Sequence, residues 1–144
     1  MKRPTVALCL IAKNEEENVP RLIKSVQGCF DEIHLVDTGS TDKTVEVAQS
    51  LGCKVHHFTW INDFSAARNF AFEQATTDFI CWIDLDDVLF NREAFIRWRD
   101  DAMGLCDYWL ATYDYASDEK GNPVVSFARE RVVRRSLGLK WKYF

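Results

Sequence analysis

The sequence predicts an α/β fold built around a mainly parallel sheet. Short apolar runs alternate along the chain with segments whose apolar residues recur at helical spacing. Polar turn residues separate these elements, and such alternation is typical of parallel strands connected by helices. With 144 residues, the chain has the length of one domain that can bury its own core.

The first predicted strand, at residues 6–11, is a continuous apolar run, too short for a helix and suited to burial on both faces of a sheet. The other predicted parallel strands lie at residues 33–36, 54–58 and 79–83. The predicted helices begin where polar residues favour a helix N-terminus. These starts are near Asn14, at Ser40 or Thr41, at Asp63 or Ser65, and at Asn91.

The pattern changes after Cys106. Trp109, Ala111, Tyr113 and Tyr115 alternate with other residues, as in a half-exposed strand. Residues 118–123 have the composition of a turn, and residues 124–133 predict one or two further strands. We therefore expect antiparallel additions to the parallel sheet.

The composition disfavours several classes of protein. The formal net charge of −4 gives no reason to expect nucleic-acid binding. No secretory signal is recognisable, and no apolar stretch is long enough to span a bilayer. The five Cys are widely spaced without a Cys-x-x-Cys pair, which indicates buried free thiols rather than a disulfide framework or a zinc site. These features predict a cytoplasmic protein.

Three polar clusters stand where predicted strands end. Residues 13–15 (Lys-Asn-Glu) follow the first strand, Asp37 follows the second, and residues 84–87 (Asp-Leu-Asp-Asp) follow the fourth. Ligands of open parallel sheets bind beyond the carboxyl ends of the strands. Because the fold would bring these clusters to one edge, the sequence predicts a ligand site there.

The acidic run at residues 84–87 indicates a metal site. Its carboxylates, on Asp84, Asp86 and Asp87, repel one another unless a cation neutralises them. Carboxylate oxygens suit Mg²⁺ or Mn²⁺, and such an ion could bridge the phosphates of a nucleoside diphosphate and stabilise it as a leaving group. The alternative is a solvated acidic turn whose last Asp caps the next helix.

The other two clusters also allow two interpretations. Asp37 could hydrogen-bond its own turn, or it could accept the imide N–H of a uracil or thymine base or a nucleoside hydroxyl. Residues 13–15, taken alone, favour helix capping. The chain has no Gly-x-Gly-x-x-Gly, P-loop or Gly-x-Ser-x-Gly motif, which disfavours dinucleotide-binding, P-loop and serine-hydrolase functions.

Four motifs occur in order along the chain. They are Leu-Ile-Ala-Lys-Asn-Glu-Glu-Glu-Asn, Val-Asp-Thr-Gly-Ser-Thr-Asp-Lys-Thr, Asp-Phe-Ser-Ala-Ala-Arg-Asn and Trp-Ile-Asp-Leu-Asp-Asp, starting at residues 10, 36, 63 and 82. Together they resemble the family 2 inverting glycosyltransferases of the GT-A fold, and most closely a bacterial branch with Lys-Asn-Glu and Asp-Phe-Ser-x-Ala-Arg-Asn signatures. The resemblance implies a Rossmann-like nucleotide-diphospho-sugar transferase fold.

The resemblance also implies roles for the matching positions. The wall of the nucleoside pocket would consist of Ile11, Ala12, Lys13 and Asn14. Asp37 would recognise the base, and Arg68 would line the nucleotide site. Asp84 would lie near the ribose and metal, and Asp86 would bind Mg²⁺ or Mn²⁺ directly. Lys13 is a departure, because many relatives carry an aromatic side chain near that place which stacks on the base.

The implied function is transfer of a sugar from a nucleoside-diphosphate sugar, with UDP as the expected nucleotide, to a saccharide, lipid or protein acceptor with inversion. An inverting transferase needs a base to deprotonate the acceptor hydroxyl. In the family that base follows the Asp-x-Asp pair in an acceptor half, which the chain lacks. We therefore expect residues 1–144 to be a single nucleotide-sugar-binding domain truncated at its C-terminus, whose exposed apolar surface could drive homo-oligomer formation.

Other functions stay open at this point. The missing base motivates a second hypothesis, a non-catalytic nucleotide-sugar-binding module. A haloacid dehalogenase-like phosphatase is disfavoured because its Asp-x-Asp follows the first strand, and a nucleotidyltransferase because residues 12–18 are neither Gly-rich nor basic. Residues 129–144 are basic; they could contact phosphates, but a solvated strand face is the simpler interpretation.

Overall fold

The computed structural model describes residues 2–142, which form one six-stranded sheet flanked by helices. The strands are β1 (Val6–Ala12), β2 (Glu32–Asp37), β3 (Lys54–His57), β4 (Phe79–Trp82), β5 (Tyr108–Ser117) and β6 (Pro123–Arg134). The α-helices are α1 (Asn18–Ser25), α2 (Thr44–Ser50), α3 (Phe64–Gln74) and α4 (Arg92–Asp101). Short 3-10 helices span Met103–Leu105 and Arg135–Leu137.

The sheet has the strand order β3-β2-β1-β4-β6-β5. The first four strands pair in parallel, and β6 joins antiparallel to β4 with β5 at the edge. Both the parallel sheet and its antiparallel addition are therefore as predicted. Residues 124–133, which were predicted to form one or two strands, lie within a single long strand, β6.

The central strand β1 is buried on both faces, which explains its unbroken apolar sequence. Leu8 and Leu10 pack in a core with α1, α2 and α4, while Ala7 and Cys9 face α3 across the sheet. Each large aliphatic side chain buried in this way contributes about 1.5–3 kcal/mol. The layers on both faces fix the position of the carboxyl edge of the sheet.

Two predicted helix starts are correct and two are wrong. Asp63 and Asn91 cap α3 and α4, accepting the backbone N–H groups of Ala66 and Ala94 at 3.1 Å. By contrast, α1 begins at Asn18, because Asn14 adopts a left-handed backbone conformation with φ of 54° that no helix continues through.

The predicted capping of α2 by Ser40 or Thr41 is also wrong. Lys43 occupies the N-cap position, and the side chain of Asp42 accepts the Thr44 N–H at 2.9 Å. Both Ser40 and Thr41 instead bond to Asn14, a contact between two loops rather than within one helix.

All five Cys are free thiols, as predicted, and all except Cys106 are buried. Burial raises the pKa of Cys53 and Cys29 to about 11, since a thiolate is poorly solvated in the core. These Cys therefore act as small apolar core residues.

The helix caps offer a direct test of the fold. Replacing Asp63 by Ala removes an acceptor from the first turn of α3 and should lower the free energy of unfolding by about 1 kcal/mol. Urea denaturation measures this change. The matched control is Ser65→Ala in the same turn, expected within about 0.5 kcal/mol of the parent; equal losses from both variants would contradict the assignment of the cap.

Candidate functional site

The strand order places a crevice at one edge of the sheet. The chain runs outward from β1 to β2 and β3, then returns to add β4 on the other side of β1. The loops that follow β1 and β4 therefore leave in opposite directions, and ligands of such sheets bind at this switch point. The predicted clusters at residues 13–15, at Asp37 and at residues 84–87 all follow strand ends on this edge.

Asn14 connects the loop after β1 to the loop after β2. Its backbone N–H donates to Ser40 Oγ at 2.9 Å, and its side-chain oxygen accepts the Thr41 N–H at 2.7 Å. Helix capping by residues 13–15, the simpler interpretation of this cluster, is therefore wrong for Asn14. Lys13 is exposed beside it, while Ile11 and Ala12 are the last residues of β1, half-buried and buried respectively.

Asp37, the last residue of β2, is only 5% exposed. Its Oδ2 accepts the backbone N–H groups of Gly39 at 3.2 Å and Ser40 at 3.1 Å, so it does stabilise its own turn. His57 Nδ1, at the end of β3, lies 3.8 Å from the same oxygen. These bonds fix the carboxylate at the sheet edge, and recognition of a base by Asp37 stays a prediction.

Arg68 on α3 lies against the acidic loop after β4. Its Nη2 donates to Asp84 Oδ1 at 2.8 Å, and its guanidinium carbon lies 4.6 Å from the centre of the Trp82 ring. The cation thus counters the charge of one carboxylate of the loop. The structure brings together Arg68 and Asp84, two residues predicted for one site from separate motifs.

Three contacts hold the acidic loop, and none of them involves the carboxylate of Asp86. Besides the Arg68–Asp84 pair, Arg21 donates to the backbone oxygen of Asp86 at 2.8 Å. Tyr113 donates from its hydroxyl to Asp87 Oδ1 at 3.1 Å. Asp86 is exposed, and its side chain forms no hydrogen bond or ion pair with the described residues.

Asp87 is the least exposed carboxylate of the loop, and its side chain is half-buried. Its Oδ2 has no hydrogen-bond partner in the described part of the chain, and Arg131 Nη2 lies 3.8 Å away. Burial raises the pKa of Asp87, as do the nearby charges of Asp84 and Asp86, while the Tyr113 bond and Arg131 oppose this shift. Helix capping by Asp87 is wrong, because Asn91 caps α4.

The sequence pattern did not identify Tyr113 and Arg131 as site residues. Arg131 is 8% exposed and lies over the Trp82 ring at 4.0 Å, so the interpretation of the basic run as solvated is wrong at this position. The alternating pattern of β5 could have indicated Tyr113, because it predicts the face of the sheet on which this side chain lies. Residues 143 and 144 of the basic run lie outside the described residues.

A family comparison decides the identity of this fold. The model of the family described as "Glycosyl transferase family 2" matches residues 7–95, which is more than half of the chain. The chain belongs to glycosyl transferase family 2. The resemblance inferred from the four motifs is thereby confirmed at the level of the family.

Curated relatives contain this family 2 region within much longer chains. A TPR repeat-containing protein of Synechococcus elongatus is 45% identical over 84 residues, which are 58% of this chain and 21% of the relative. The SPbeta prophage-derived glycosyltransferase SunS of Bacillus subtilis is 36% identical over 92 residues, or 62% of this chain and 22% of the relative. The chain thus spans about a fifth of the length of these relatives.

Solved structures confirm the GT-A fold. TarS 1–349 of S. aureus in complex with UDP is 26% identical with a TM-score of 0.52, over 58% of this chain and 28% of that one. Another structure of TarS 1–349 matches 92% of this chain and 48% of its own length, with a TM-score of 0.64 at 19% identity. This second match shows the likeness of the fold alone.

The carboxylates of the acidic loop suit a metal ion that takes only part of its ligands from the protein and the rest from a substrate. Within residues 2–142, no group of three or more His, Cys, Asp or Glu side chains is arranged to hold a metal ion. Mg²⁺ commonly binds one or two carboxylates and completes its shell with water and substrate phosphates. The free carboxylate of Asp86, beside the Arg68-paired Asp84, fits this mode rather than a cage made only of protein ligands.

A search for membrane-spanning helices within the described residues found none that is long and apolar enough.

The pKa shift of Asp87 makes the Tyr113 bond testable. Replacing Tyr113 by Phe removes a hydrogen bond to the ionised carboxylate and raises the already elevated pKa of Asp87 further. The free energy of unfolding should fall by about 1 kcal/mol near pH 7. The loss should shrink as the pH falls below the folded pKa of Asp87, because the protonated acid depends less on this bond.

Urea unfolding at about pH 7 and about pH 4 measures the difference. The control is Tyr115→Phe, since Tyr115 is 69% exposed. A loss for Tyr113→Phe that is the same at both pH values would show that the hydroxyl does not act through the charge of Asp87.

Proposed function

We propose that this chain binds a nucleoside-diphosphate sugar, with UDP as the nucleotide, and acts in transfer of the sugar to an acceptor with inversion. One observation carries the proposal: in a family 2 chain, the acidic loop at the switch point is fixed through Asp84 and Asp87 while the carboxylate of Asp86 is free. A loop held in this way keeps the backbone of Asp86 in place, so that only its side chain has to be ordered when the donor arrives.

The nucleoside part of the donor is assigned to the ends of β1 and β2. Asp37 is buried and held by its turn, so its carboxylate is preorganised to accept a hydrogen bond from the base or the nucleoside hydroxyls. Residues 11–14 lie beside it, since Ala12 pairs with Asp37 in the sheet. The UDP present in the TarS complex supports uridine as the nucleoside.

The diphosphate is assigned to Arg68 and to a Mg²⁺ or Mn²⁺ ion that Asp86, with Asp84 beside it, would hold. When bound, the ion supplies charge neutralisation for the departing nucleoside diphosphate. Arg68 adds a fixed cation whose position is already set by Asp84. The two carboxylates thus orient the donor, and the guanidinium counters negative charge that develops on the leaving group.

The proposed transfer is a single displacement at the anomeric carbon. A bond forms from the acceptor hydroxyl oxygen to that carbon, and the bond from the carbon to the diphosphate oxygen breaks. The electron pair goes to the nucleoside diphosphate, and the hydroxyl proton goes to a base. We assign the donor half of this reaction to the described residues.

Calorimetric titration of UDP, with and without Mn²⁺, tests the donor site. We expect binding that requires Mn²⁺ in the intact protein. Asp86→Asn keeps the size of the side chain but removes a metal ligand, so affinity for UDP with Mn²⁺ should fall by more than about tenfold. Asp101→Asn is the control, because Asp101 is an exposed carboxylate at the end of α4.

The outcomes separate the two hypotheses drawn from the sequence. Full affinity of Asp86→Asn, or equal affinity without metal, would refute the assigned metal site. Metal-dependent binding without transfer or donor hydrolysis, when the chain is supplied with UDP-sugars and acceptors, would favour the nucleotide-sugar-binding module.

A further inference from the structure

The segment at residues 138–142 is joined to α3 by a pair of hydrogen bonds through a single side chain. The amide of Asn69 donates from Nδ2 to the backbone oxygen of Trp141 at 2.9 Å, and its Oδ1 accepts the Trp141 N–H at 2.7 Å. Asn69 therefore satisfies both backbone groups of Trp141, as a neighbouring strand would. We call this pair of residues the Asn69–Trp141 clasp.

The clasp places the Trp141 ring beside Arg68. The indole lies edge-on to Trp82, with ring centres 4.9 Å apart and an interplanar angle of 90°. The guanidinium carbon of Arg68 lies 5.1 Å from the centre of the Trp141 ring and 4.6 Å from that of Trp82. Both distances are within the range of cation–π attraction.

Arg68 needs this support to keep a single orientation. An Arg side chain has many rotamers to lose, and its side chain here is 21% exposed. A single salt bridge to Asp84, itself 43% exposed, is a weak restraint. The two aromatic rings add cation–π attraction to it. Trp82 belongs to the sheet, whereas Trp141 reaches Arg68 only when its segment is docked.

The docked segment is not held by tight packing alone. A pocket of about 140 Å³, open to solvent, lies between α3 and the chain at residues 133–140, lined by Phe72, Ile80 and Leu139 among others. Where this pocket lies, the segment is not packed tightly on α3. The two Asn69 bonds and the contact of the Trp141 ring with Phe72 join the segment to α3.

We propose that Asn69 and Trp141 are positioning residues for the donor site: they hold Arg68 against Asp84 and thereby set the geometry of the acidic loop for the nucleotide and its metal. This inference rests on the function proposed above, and it adds that donor affinity is coupled to docking of residues 138–142. Both residues act through Arg68.

Nuclear magnetic resonance of the protein without ligand tests the first half of the inference. Ring currents of two indoles should shift the side-chain Nε–H resonance of Arg68. Trp141→Ala and Asn69→Ala should both move this resonance, while Trp141→Phe should largely retain its position because a ring remains. Trp60→Ala, which removes an indole that packs edge-on against Phe64 and not against Arg68, is the control and should not move it.

Calorimetry with UDP and Mn²⁺ tests the second half. Each clasp variant should bind about fivefold to tenfold more weakly than the parent. Trp141→Phe should recover most of the affinity. In the Arg68→Ala background, Trp141→Ala should cause no further loss, because the residue acts only through Arg68. Asn69→Ala raises the helix propensity of α3, so unfolding of that helix would not explain a loss.

Three results would overturn the inference: an Arg68 resonance unmoved by both clasp variants, full affinity in those variants, or additive losses in the Arg68→Ala background. A parent protein that binds no nucleotide would refute the proposed function instead. In that case the Arg68 resonance still decides whether the clasp holds the guanidinium.

Discussion

The ion pair between Arg68 and Asp84 is the contact on which the site depends. It joins α3, packed on one face of the sheet, to the acidic loop that leaves β4. The pair reduces the repulsion among the neighbouring carboxylates because a cation counters the charge of Asp84, while Tyr113 and Arg131 lie against the half-buried Asp87. The remaining carboxylate, on Asp86, is thereby kept available for a ligand.

The supports of this loop come from parts of the chain that are far apart in sequence. Arg21 belongs to α1, Arg68 to α3, and Tyr113 and Arg131 to the antiparallel strands. The β5–β6 addition is therefore more than an edge extension of the parallel sheet. It contributes a hydrogen bond from Tyr113 and the buried cation of Arg131, which both lie against Asp87, the last carboxylate of the loop.

The fold was predictable where burial and the alternation of elements determine it. The central strand β1 was found because a strand buried on both faces is uniformly apolar, whereas the edge strand β3, with Lys54 and His57 exposed, was found from its place in the alternation of strands and helices. The start of α1 was missed because Asn14 bonds to Thr41, a partner far along the chain that no local pattern indicates. Arg131 was missed for a related reason: a buried Arg stacked on Trp82 and a solvated Arg look alike in a basic run. Asp37, Arg68 and Asp84 were predicted as site residues because each belongs to a recognisable motif, and the structure places Arg68 against Asp84.

The proposed site requires that a metal bind at the free carboxylate of Asp86 together with a nucleotide at the sheet edge. Paramagnetic broadening of amide resonances by Mn²⁺, recorded with and without UDP, measures this binding. We expect Mn²⁺ with UDP to broaden residues 84–87 most strongly and to leave the turn at residues 118–122 sharp. Strongest broadening at the acidic residues 15–17 and Asp42, or no dependence on UDP, would contradict it.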